Sequence, residues 1–165
     1  MLDRQLGIAW QLLQYHLTDL TDDECLWRPA EAGLHVVERD GAWAAEWPET
    51  ESYAAGPPSI AWLTWHIGFW WSSALNHSFG DATLGRADVP WPGSAARTVA
   101  WLEGLHDRWT AALAALPDEA FASAEHTRWP FADRPFADLV GWLNLELMKN
   151  ASEIGYARFL YAVRR

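Results

Sequence analysis

The sequence predicts an all-α protein, a four-helix bundle with long loops, and three observations carry that prediction. Four long segments keep their apolar residues at steps of three and four, the period of a helix with one buried face. Caps and breakers separate them: Thr21-Asp22-Asp23-Glu24, Pro57-Pro58-Ser59, Ser94, Pro117-Asp118 and Pro135. No run of strands competes. The one strand signal, LHVVERDGAWAAEW, sets Asp40-Gly41 between two short alternating runs and predicts a small hairpin in the first connection.

The first helix is expected over Leu2 to Leu20, with Leu6, Leu12, Leu13, Leu17 and Leu20 as its stripe, and Thr21 as a stop or a new cap. Residues 27–57 form a connection too long to be structureless in a compact domain, so it is expected to hold short pieces of structure and to cover a site. The second helix starts at Ser59 and runs to about His77. The third covers about Ala95 to Leu116, behind Ser94. Phe121 to Arg134 is a loop, and the fourth helix runs from Pro135, suited to a first turn, to about Val163. Residues 1–165 form one domain, without internal repeat or low-complexity tract.

Composition removes several classes of function. Of 165 residues, 22 are acidic and 12 basic, a net charge of −10. Phosphate backbones and anionic membranes need a basic face, and the one basic pair is Arg164-Arg165, so neither partner is expected. Residues 52–80 lack formal charge, yet Pro57, Pro58, His66 and His77 interrupt them, which fits a buried helix better than a membrane span. The single cysteine, Cys25, excludes an internal disulfide, and its acidic neighbours are expected to raise its pKa. No leader is evident at MLDRQLGIAW, so the cytoplasm is the expected location. Thirteen tryptophans must be shared between a core and a pocket or an interface.

Three groups of polar residues interrupt apolar helix faces. Trp62, His66, Trp70, Ser73 and His77 fall within about 80° of arc, which sets His66 between two tryptophans and makes it a candidate ligand or a satisfied core histidine. His106 occupies a seam position among Val99, Leu102, Trp109 and Leu113. On the fourth helix the apolar arc of Phe136, Val140, Leu143, Leu147, Ala151 and Ile154 centres about 100° from Glu146, with Asn150 at about 40° and Glu153 at about −20°. Lys149 lies beyond them, so Glu146–Lys149 and Lys149–Glu153 are candidate surface pairs. Trp142 shares that arc and argues for the interior. Periodicity leaves the two readings open.

LTDDECLWRP after the first helix, a long loop, and then SIAWLTWHIGFWW together resemble the DinB-like (DinB/YfiT) superfamily of four-helix-bundle metalloenzymes over nearly the whole chain. In that family the helix-two histidine, matched by His66, is a metal ligand, and two histidines at i and i+4 on the last helix complete the site. They precede an Arg-Gly-Gln-Ile-like tetrapeptide; matching it to Ala151-Ser152-Glu153-Ile154 puts Glu146 and Asn150 at the two ligand positions. Neither is histidine. Glu can ligate zinc, iron or manganese, whereas a neutral Asn carbonyl suits harder ions. The resemblance thus implies a metal group of His66, Glu146 and Asn150. His66, His106 and Glu146 each lie within a few residues of the midpoint of their helices and could meet at one level, so His106, with Glu153 on the Glu146 face, is a further site candidate, and Trp62, Trp70 and Trp142 flank the expected pocket. It also implies that Glu146 points inward, either paired with His66 or sharing a metal with it.

Two functions follow from the resemblance. The first is a transferase or hydrolase using a divalent metal (Zn, Ni, Mn or Fe) that lowers the pKa of a low-molecular-weight thiol such as bacillithiol, mycothiol or glutathione. The second is a non-catalytic bundle, without metal, that binds a small apolar or aromatic molecule or forms a homodimer. The retained His66 favours the first and the missing histidines favour the second.

Overall fold

The computed structural model describes residues 1–50 and 52–164. It is mostly helical, and its order is α1 (Leu2–Leu17), α2 (Asp22–Leu26), β1 (Val36–Arg39), β2 (Ala42–Ala45), α3 (Ile60–Phe79), α4 (Ala95–Ala114) and α5 (Phe136–Ala162). Helix α1 stops three residues short of the expected Leu20. Thr18 leaves the helix with an extended backbone and Asp19 takes φ of 55°. That turn frees Thr21 to start α2 with a full capping box: its hydroxyl accepts from Glu24 N–H, and the Glu24 carboxylate accepts from Thr21 N–H.

The hairpin forms where Asp40-Gly41 predicts it. Val36 pairs with Ala45 and Arg39 with Ala42, and the two turn residues have φ of 52° and 79°, the left-handed pair that a two-residue hairpin requires.

Contacts between ends give the course of the four long helices. Asn144 Nδ2 donates to Leu2 O at 2.9 Å, and Arg158 Nη1 donates to His16 O at 2.9 Å, so α1 and α5 run parallel. Helix α3 is antiparallel to α5: His66 meets Asn150 near its start and Phe79 meets Phe136 at its end. Helix α4 is parallel to α3, with Trp101 against Gly68 and Trp109 against Phe79. The order is up, down, down, up. Residues 80–94 must therefore return along the bundle, which 15 residues at about 3.3 Å each can do past a helix of about 30 Å.

Tryptophans fasten that return and the first connection to α3. Trp65 Nε1 donates to Val89 O (2.6 Å), Trp62 Nε1 donates to Glu46 O (2.6 Å), and Trp91 donates through its backbone to Trp43 O and through its indole to Thr64 Oγ1. The Trp62 and Trp65 indoles thus satisfy loop carbonyls that lie outside the helices and the hairpin. Gly68 is needed where α3 meets α4, because a Cβ there would lie 1.9 Å from the Trp101 ring. Among the described residues no helix is long and apolar enough to cross a membrane.

Candidate functional site

Helix α3 is buried on nearly all sides, which is why its sequence shows two apolar faces, and His66 sits in its first half with 6% of its surface exposed. The imidazole stacks on Trp62 at 4.6 Å between centroids and 17° between planes. Both ring nitrogens are occupied. Nδ1 lies 3.3 Å from Asn150 Oδ1, and Trp70 Nε1 donates to Nε2 at 2.8 Å.

The direction of each bond follows from its two ends. Asn150 Nδ2 bonds Glu146 O at 2.8 Å, and a backbone carbonyl can only accept, so the amide nitrogen faces it and Oδ1 faces His66. An oxygen there requires the proton on Nδ1. At the other end an indole N–H can only donate, so Nε2 must carry its lone pair. The chain Trp70 to His66 to Asn150 to Glu146 O is complete with a neutral imidazole. Burial pushes the His66 pKa down to about 4; the nearby Lys149 charge adds to the fall, and the Asn150 bond offsets part of it.

Glu146 and Lys149 lie beside this chain. Lys149 Nζ meets Glu146 Oε2 at 3.2 Å, with 22% of the Glu146 side chain exposed. The expected pairing of Glu146 with His66 is therefore not the one formed: Asn150, fully buried one turn further on, takes the imidazole proton instead. Glu146 contributes its carbonyl to the network and its carboxylate to a surface pair worth roughly 0–1 kcal/mol.

These residues border a cleft of about 720 Å³, within the usual range for small-molecule sites. Trp47, Trp62 and Trp70 line it with His66, and Glu49, Glu146 and Lys149 supply its charges. Trp47 stands 6.2 Å from His66 and 6.5 Å from Trp62, with the Arg86 guanidinium 4.9 Å over its ring. Trp47 lies in residues 27–57, the connection expected to cover a site, but no local pattern singles it out from the other tryptophans there. Trp129 was missed as well; it packs 5.0 Å from Trp70 and steadies that ring from behind.

Three expected site residues lie elsewhere. His106 stacks on Trp10 at 4.2 Å and 11° and meets Asp107 at 3.4 Å, so its packing is with α1 rather than with His66. Trp142 meets Trp70 edge-on at 4.8 Å and lines a separate depression with Phe131, so it backs the cleft rather than forming its wall. Glu153 borders a second pocket, and of the two candidate pairs for Lys149 only Glu146 is bonded. Cys25 is fully buried; burial first, then Asp22 and Glu24, push its thiol up to about 12, which makes it a poor nucleophile.

A divalent metal does not fit this arrangement. Ligation would need a free imidazole lone pair, and Trp70 occupies it; the Asn150 oxygen is taken by His66. No group of three or more His, Cys, Asp or Glu among the described residues is placed to hold an ion.

No curated protein and no solved structure matches the chain significantly. Residues 5–154 match the profile of the DinB superfamily; that span holds most of α1 and α5, and all of the long return between α3 and α4 and of α3 with its histidine facing α5. The chain belongs to the DinB superfamily.

Proposed function

We propose that this chain is a non-catalytic member of the superfamily, binding a small planar apolar or aromatic molecule in the cleft between Trp47, Trp62 and Trp70. The observation that carries this reading is the closed hydrogen-bond chain through His66. An imidazole with both nitrogens bonded offers no free lone pair to a proton or a metal, and its lowered pKa keeps it uncharged at pH 7; it presents a flat, neutral surface stacked on Trp62. Tryptophan faces favour planar rings, by offset stacking or by edge contacts worth about 0.5–1.5 kcal/mol beyond burial. The Glu146–Lys149 pair at the edge would orient a polar substituent.

Quinoline is a suitable probe. Titrated into the metal-free chain at pH 7, it is expected to bind and to shift the indole N–H resonances of Trp62 and Trp70. Trp47→Ala removes a ring that is 39% exposed, so the fold should survive and the affinity should fall about tenfold or more. Failure of quinoline to shift these resonances, or an unchanged affinity in the variant, would overturn the reading. Binding of a low-molecular-weight thiol only after zinc is added would restore the metal-dependent transferase in its place.

A further inference from the structure

Beyond the tryptophan cleft, a second pocket of about 390 Å³ opens between the later turns of α5, the first turn of α3 and the proline-bearing connections. Pro29, Pro57, Pro58, Leu63, Ala157 and Leu160 make its lining almost wholly apolar. The prolines hold fixed backbone angles and offer no N–H, so two of the walls are stiff and cannot bond a polar ligand from the main chain.

At the edge of this apolar surface stands Glu153. Its side chain is half-buried, and no hydrogen bond or ion pair reaches its carboxylate among the described residues. Lys149, one turn earlier on α5, is the cation within helical reach, and it closes on Glu146 at 3.2 Å instead. Burial accordingly raises the Glu153 pKa; Lys149 offsets part of that rise, and the Glu146 charge adds to it. A half-desolvated carboxylate without a protein donor is unfavourable, and the pocket beside it offers almost wholly apolar groups.

The geometry points to a second ligand site, separate from the tryptophan cleft, that takes a hydrophobic primary amine: the apolar body lies against the prolines, Leu63 and Leu160, and the ammonium meets Glu153. An ammonium supplies three donors to a carboxylate that has none, and a net charge of −10 raises the local concentration of cations. This inference goes beyond the proposed function and does not depend on it.

Hexylamine and its neutral counterpart 1-hexanol test the pocket and the charge separately, in the full chain at pH 7. Hexylamine is expected to shift resonances of Leu63, Ala157 and Leu160, to lower the Glu153 carboxyl pKa in a carbon-13 titration, and to bind at least tenfold more tightly than 1-hexanol. Glu153→Gln keeps the shape of the side chain and should reduce hexylamine to the affinity of the alcohol while leaving the alcohol unchanged. Equal affinities in the parent chain, indifference to Glu153→Gln, or shifts confined to Trp62 and Trp70 would each overturn the assignment. The quinoline result reads the other cleft, so either site can fail without the other.

Discussion

Lowering the pH from 6.5 to about 4 is expected to cost the fold about 3 kcal/mol through His66 alone. The unfolded imidazole titrates near 6.5 and the folded one near 4, so between those values the unfolded state binds the extra proton. The contribution of His66 is whole above pH 6.5, falls through the window, and is constant below it. The size follows from the gap between 6.5 and about 4, with each tenfold change in proton affinity equal to about 1.4 kcal/mol. The largest cause is burial, to which the Lys149 charge adds; a proton on Nε2 would in addition set two donors against each other, since Trp70 already donates there. Glu153 acts in the opposite sense, since a raised folded pKa favours the fold as pH falls through it. The His66 effect is therefore read as the difference between the parent and His66→Gln in urea unfolding at pH 7, 5.5 and 4. Trp70→Phe should narrow the window by removing the opposing donor. A difference that stays constant over this range would contradict the neutral, doubly bonded imidazole.

Arg158→Ala is expected to destabilise the fold by about 3 kcal/mol, at the lower end of what breaking a buried pair costs because the Arg158 side chain is 25% exposed. Its guanidinium bonds Glu24 at 3.0 Å, His16 O at 2.9 Å and Thr18 O at 2.8 Å. One side chain thus satisfies the carbonyls at the end of α1 and ties α2 to α5. The substitution strands a Glu24 carboxylate that is 9% exposed and already engaged in capping α2. Denaturant unfolding of Arg158→Ala, Glu24→Gln and the double variant should give a coupling of at least 1 kcal/mol. Strict additivity would mean that the bonds across this junction carry no stability.

That junction shows what the sequence made legible. LTDDE was readable as a stop and a cap because a capping box is local, confined to four residues. Its partner Arg158 lies 134 positions away, and no periodicity links the two. The same limit applied at the site. His66 stood out as a polar residue on an apolar face, and its burial followed. Glu146 and Asn150 were equally visible on α5, but a helix position fixes a direction only to within some tens of degrees. Asn150, 40° nearer the apolar arc, is fully buried and takes the imidazole, while Glu146 reaches the cleft edge and Lys149. His106 looked equivalent to His66 by pattern and differs because Trp10 of α1 covers its ring. The long return from α3 to α4 left no local mark, since parallel and antiparallel neighbours share one helical period.

The reading of the cleft rests on His66 being a neutral imidazole with its proton on Nδ1 and its Nε2 lone pair held by Trp70. Nitrogen-15 spectra that correlate the ring nitrogens with the carbon-bound protons test it most directly, at pH 7, before and after a twofold excess of zinc. A protonated Nδ1 and an unprotonated, hydrogen-bonded Nε2 are expected, both unmoved by the metal. A proton on Nε2, or a stoichiometric shift of either nitrogen on adding zinc, would contradict it and return His66 to the role of a metal ligand.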